Sequence, residues 1–203
     1  MTVIGDDFLF IHVPKNAGKS VSARLGGVTR GVPGHAPRSW FAGGAHDGKF
    51  SFGFVRNPWD RMVSSYEFIC TKTPRRNDDP RARAEALEMG FRGWLTQGAF
   101  YHAHDRSPDL PALPAPYQRR SQMYWLEGCD YIGRVETLGD DMAHILGRIT
   151  PKRRFRDLWT RPASIPFRNR TARGDYRAYY DDETRAFVAR HAAEEIERFG
   201  YVF

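Results

Sequence analysis

The chain has 203 residues, with 31 Lys and Arg against 24 Asp and Glu for a formal charge of +7, and is 41% hydrophobic and 14% aromatic. That length and apolar content support one packed domain and exclude a chain disordered throughout, and the longest apolar stretches are strand-sized, far short of a membrane span. The two cysteines, Cys70 and Cys129, form neither a disulfide framework nor a metal-ligand set, and no charged-then-apolar leader precedes the first strand, so a soluble protein in a reducing, cytoplasmic setting is expected.

Phe8 to Val13 (FLFIHV) is a continuous apolar run that stops at Pro14, as a buried central strand does. After a small-residue turn, Lys19 to Leu25 can form a helix with Val21 and Leu25 on one face. A second unit begins at Phe50, where FSFGFV reads as a strand and Asn57-Pro58 supplies an N-cap and a proline at the first helical position. Its helix runs to about Thr71, with Asn57, Asp60, Arg61 and Ser64 on one face and Met62, Tyr66 and Ile69 able to face the sheet. Pro108, Pro111, Pro114 and Pro116 make the stretch from Ala99 to Pro116 a loop, better suited to covering a site than to joining domains. Tyr131 to Val135 reads as a third strand, Leu138 to Ile149 as a helix, and Asp182 to Phe199 as a capped amphipathic helix ending at Gly200. Strands alternating with helices imply a single α/β domain over residues 1–203, with a central parallel sheet flanked by helices.

The turn VPKNAGKS puts Gly18, Lys19 and Ser20 where a phosphate-binding loop carries its last three signature residues, after a strand and at a helix start. Backbone N–H groups and the positive helix end can hold a phosphate there, and glycine permits close approach. The pattern GxxxxGK[ST] needs glycine where this chain has Val13, so the nucleotide triphosphatase signature is incomplete. A glycine-containing turn between strand and helix also occurs with no ligand, but the coincidence of strand, turn, two lysines and helix favours phosphate. Further on, Arg56 leaves a strand's C-terminal edge and Ser64 lies two turns into the next helix, so both can converge on one phosphate. The plainer alternative pairs Arg56 with Asp60 or Glu67.

PKNAGKS after FIHV, taken with FGFVRNPWDRMVSSY, resembles the sulfotransferases that use 3′-phosphoadenosine 5′-phosphosulfate (PAPS), in their carbohydrate-type branch and its small bacterial relatives. The resemblance implies a P-loop-like sulfotransferase fold. It implies that Lys15, Asn16, Ala17, Gly18, Lys19 and Ser20 cradle the 5′-phosphosulfate and that Arg56 and Ser64, eight residues apart, hold the 3′-phosphate. Asn16 and Lys19 stand where the family usually has threonines. RVETLGDDM and the run from Asn169 to Phe203 resemble the family's closing region, which implies a further 3′-phosphate contact at Arg173 and Gly174. Lys15 would act on the bridging or leaving oxygen. His35, in GHAPRSW, resembles the family's general base, with His46 in reserve, whereas His12 reads as structural. The implied reaction is in-line sulfuryl transfer to a hydroxyl, or less readily an amine, of a carbohydrate-like or other small acceptor. It leaves adenosine 3′,5′-bisphosphate (PAP), and fixed positive charge at the leaving group removes the need for a metal.

The charge is concentrated: Arg148 to Arg173 holds nine basic residues and one acidic one, Asp157, and the remainder is nearly neutral. Such a segment is either a solvated stretch or a funnel toward an anionic cofactor or acceptor. A P-loop kinase or nucleotide hydrolase would fit Gly18, Lys19 and Ser20 but neither Val13 nor the Arg56/Ser64 pair. Nucleic-acid binding through the arginines has no recognisable recognition module and leaves both phosphate motifs unused. A sulfotransferase-like nucleotide binder without turnover is the remaining alternative. The acceptor would be chosen by loops, at Gly26 to Gly44 and Ala99 to Pro116, and neither its identity nor the oligomeric state is written in the sequence.

Overall fold

A continuous apolar run at Phe8–Phe10 (β2) and an alternating one at Phe50–Val55 (β3) form neighbouring parallel strands, paired Leu9 with Ser51 and Phe10 with Phe52. The structure is a computed structural model that describes residues 2–27, 29–71, 80–98, 121–149 and 174–203. Tyr131–Arg134 (β4) lies parallel to β3, with Val55 opposite Arg134, and the two-residue strand Val3–Ile4 (β1) pairs antiparallel with β2. The order is β1-β2-β3-β4, so the fold is mixed α/β with a mostly parallel sheet. The antiparallel edge was not foreseen, because two residues leave no periodic signal. The strand expected over Phe8 to Val13 is assigned only to Phe10, although the Ile11 N–H still bonds the Phe52 carbonyl at 2.8 Å.

The chain divides into two compact units, Met1–Val55 with Trp125–Asn169, and Arg56–Tyr124 with Arg170–Phe203. In the first, Phe10, Phe52 and Phe54 share one sheet face, and the helices Gly18–Arg24 (α1) and Leu138–Ile149 (α5) cover it with Val21, Leu138, Met142 and Ile145. On the opposite face, a Cβ at Gly53 would meet Cδ2 of Leu126, the last residue of the short helix Met123–Leu126 (α4), at 2.2 Å and the Ile11 carbonyl at 2.9 Å, so only glycine fits. Arg148 lies over the Phe50 ring at 4.6 Å. The rest of the arginine-rich segment, and the proline loop from Ala99 to Pro116, lie outside the described residues.

The second unit holds Pro58–Thr71 (α2), Pro80–Gln97 (α3), a 3-10 turn at Tyr176–Tyr179, Asp182–His191 (α6) and Ala193–Phe199 (α7). Tyr66 packs against Phe91, Trp94 and Tyr179 of this unit, where the sequence suggested a sheet-facing position. Helix α3 was not anticipated, since Gly90 interrupts it with φ 64° and breaks the apolar repeat. The terminal helix is two helices, parted at Ala192 (φ −118°, ψ 26°) and closed by Gly200 in the left-handed region (φ 62°). Among the described residues no helix is long and apolar enough to cross a membrane.

Candidate active site

Where β2 ends, the chain turns back through Pro14 to Ala17 into α1. Lys15 (φ 69°) and Ala17 (φ 56°) both occupy the left-handed region, which costs a residue with a Cβ about 1–2 kcal/mol. The Ala17 carbonyl accepts from the Ser20 N–H (2.9 Å) and the Val21 N–H (3.2 Å), which starts the helix. Asn16 repays part of that strain: it is 1% exposed, and its Nδ2 donates to the Phe54 carbonyl of β3 at 2.6 Å. Its side-chain donor is therefore directed at the sheet. Lys15 is half-buried, Lys19 exposed and Ser20 buried.

A Cβ on Gly18 would sit 1.8 Å from His12 Nε2, so the glycine of the motif is demanded from inside the protein, by the imidazole beneath it. His12 is 7% exposed, and its Nδ1 has no hydrogen-bond partner among the described residues. Its ring stacks on Phe10 and lies 4.4 Å from that of His35. His35 Nδ1 is 2.9 Å from the His12 carbonyl oxygen. A ring nitrogen facing a carbonyl must carry hydrogen, which leaves Nε2 with the lone pair in the neutral ring. The Trp125 indole N–H donates to the His35 carbonyl at 3.0 Å and holds the backbone on the other side. His46 sits instead beside Phe41, ring centroids 6.4 Å apart. The sequence marked His12 as structural but did not show that it lies beneath Gly18; the signal was a polar residue near the end of an otherwise apolar run, six residues before Gly18.

In the second unit, Asn57 Oδ1 accepts from the N–H groups of Trp59 and Asp60 (3.1 and 3.3 Å), the N-cap expected ahead of Pro58. Arg56 donates through Nε and Nη2 to Asp60 Oδ2, at 2.7 and 2.5 Å. The plainer alternative, an ion pair one helical turn away, is thus present. Ser64 is 8% exposed on α2. Gly174 is exposed with open space around it, and Arg173 lies outside the described residues.

Burial pushes the Cys129 thiol up to about 12 and raises that of Cys70 as well, and neither cysteine is in a disulfide. Among the described residues no group of three or more His, Cys, Asp or Glu is placed to hold a metal ion. A family model described as Sulfotransferase family matches residues 36–202. The match takes in Arg56, Ser64 and the last two helices, whereas the Lys15 loop and His35 precede it. No curated protein and no solved structure matches the chain.

Proposed function

The chain belongs to the sulfotransferase family, enzymes of sulfuryl transfer, and on that basis we propose that PAPS is its donor, a hydroxyl of a carbohydrate-like or other small molecule its acceptor, and His35 its general base. The donors in each unit fit such a ligand by their chemistry: Lys15 and Lys19 offer cations, Ser20 a hydroxyl and the turn at Ala17 and Gly18 backbone N–H groups in the first unit, and Arg56 and Ser64 a cation and a hydroxyl in the second, each of a kind that suits phosphate and sulfate oxygens. When bound, PAPS supplies an activated sulfuryl group.

Lys15, Ala17, Gly18, Lys19 and Ser20 would bind its 5′ end, with the Lys15 ammonium offsetting negative charge at the oxygen between phosphorus and sulfur. Asn16 would contribute by tying the loop to β3. Arg56 and Ser64 would bind the 3′-phosphate, aided by Arg173 and Gly174, and Arg56 would exchange or share its Asp60 partner to do so. His35 Nε2 would take the acceptor's proton as the new bond to sulfur forms, and PAP would remain as product. A reducing, cytoplasmic setting belongs to the same proposal.

The observation that carries this reading is the His12 ring, which contacts both the Gly18 turn and His35 and so keeps a lone-pair nitrogen's ring beside the loop. The test is transfer of label from radioactive PAPS across a panel of sugars, phenols and amines, alongside thermal stabilisation by PAP and by ATP with magnesium. Labelled acceptor and stronger stabilisation by PAP are expected. Stabilisation by magnesium ATP alone, with no transfer, would turn the assignment toward a kinase or nucleotide hydrolase.

A further inference from the structure

Pairing with β4 ends at Val55, so Arg56 begins where the strand ladder no longer supplies partners for its peptide groups. Gln122 supplies them. Its Oε1 accepts from the Arg56 N–H at 2.9 Å and its Nε2 donates to the Arg56 carbonyl at 2.9 Å. A side-chain amide carries the same donor and acceptor as a peptide, and bonding both groups of one residue reproduces the doubly bonded pair of an antiparallel ladder. Two bonds to one residue fix the backbone on both sides of the Arg56 Cα, and hence the point from which its guanidinium projects.

Gln122 is itself held. It is 0% exposed, and its N–H donates to Oε1 of Glu195 on α7, which is 1% exposed. Burial raises the Glu195 carboxyl above its ordinary value, against the opposing influence of the Gln122 N–H and the Arg61 charge. Buried amides and carboxylates stabilise a fold less readily than apolar side chains of the same size unless their bonds are made. Here the oxygen and the nitrogen of the Gln122 side chain both bond to one residue, Arg56.

We propose that Gln122, anchored by Glu195, is a positioning residue for Arg56 and thereby sets how well the protein distinguishes a nucleotide bearing a 3′-phosphate from one without it. This rests on the assignment of Arg56 to the 3′-phosphate. Gln122→Met keeps the volume and removes both bonds. In calorimetry the wild-type protein is expected to bind PAP more tightly than adenosine 5′-monophosphate. Gln122→Met is expected to lower PAP affinity about tenfold, the scale of two lost neutral hydrogen bonds, with the monophosphate affinity unchanged. In turnover the KM for PAPS should rise with kcat retained, a split that general loosening would not give.

If wild type and Arg56→Ala differ in their preference for PAP while folded Gln122→Met keeps the wild-type preference, the Gln122 proposal is overturned and the Arg56 assignment stands. Equal binding of PAP and the monophosphate by wild type would overturn both. If Gln122→Met does not fold, glutamine-labelled wild-type protein provides the measurement. A slowly exchanging Gln122 side-chain amide whose resonance moves with PAP and stays put with the monophosphate is expected, and an unmoved resonance would overturn the proposal.

Discussion

Gly18→Ala tests the packing beneath the phosphate loop. The added methyl would lie 1.8 Å from His12 Nε2, 1.9 Å from Cδ2 and 2.5 Å from Cε1. Ordinary contact between such atoms is about 3.5–4.0 Å, so the ring must retreat by more than about 1 Å. It has little room: it is buried, stacked on Phe10 with centroids 6.0 Å apart and set against His35 at 4.4 Å. Overpacking of this kind costs about 1–3 kcal/mol. In a chain of 203 residues, each kcal/mol corresponds to about 2–4 °C, so Tm should fall by roughly 2–12 °C. The assay is scanning calorimetry on wild type, Gly18→Ala, His12→Ala and the double variant, with PAP titrated into each. Removing the imidazole makes room for the methyl, so the double variant should be more stable than the sum of the single losses predicts, by about 1 kcal/mol or more. Purely additive losses, or an unchanged Tm in Gly18→Ala, would refute the argument that His12 dictates the glycine.

His35→Ala should nearly abolish transfer while binding PAP with wild-type affinity, read by label transfer and calorimetry; retained turnover would move the base role to His46 or elsewhere. Lys15→Ala should also lose most turnover, whereas Arg56→Ala should chiefly weaken PAP binding, and the comparison of kcat with KM separates the two. Stability should also show an acid limb from Asp130. Burial raises that carboxyl, but the Ser51 N–H and hydroxyl, both 2.7 Å from Oδ2, and the Arg38 charge outweigh burial and hold its pKa below 3.8. The unfolded chain therefore binds this proton more readily than the folded one, so the contribution is complete above pH 3.8 and disappears as pH falls through the lowered value. Asp130→Asn should be less stable at neutral pH and flatten the fall of Tm in acid; an unchanged acid slope would show that the Ser51 contacts do not set it.

How much of this was legible in the sequence varied with the range of the interaction. Phe50–Val55 and Leu138–Ile149 have the expected bounds, and α2 starts at Pro58 behind the Asn57 cap, because a local period and a local cap define each of them. The break at Ala192 has no local cause, since alanine favours a helix, and α7 is held through Glu195 by a residue 73 positions earlier. The same holds at the candidate site. The spacing of Lys15, Gly18, Arg56 and Ser64 could be read directly. That Gly18 answers to His12 depends on how the chain turns back over the strand end, and that His35 is oriented by the His12 carbonyl and Gln122 clamps Arg56 depends on contacts between segments 23 and 66 positions apart, none of which a periodicity records. The Arg56–Asp60 pair was open to either reading, and the structure contains the pair.

The bond from Asn16 to the Phe54 carbonyl has a thermodynamic consequence for ligand binding. A loop that is loose before binding gives up backbone freedom worth about 1–2 kcal/mol per residue when a ligand orders it, and that loss is subtracted from affinity. Here the carboxamide anchors the middle of the turn to the sheet at 2.6 Å, and the Asn16 N–H closes onto the Val13 carbonyl at 3.3 Å, so the ordering takes place during folding. An anion that reaches Pro14 to Gly18 meets a preorganised surface, and the entropy of shaping it has already been met by the stability of the sheet.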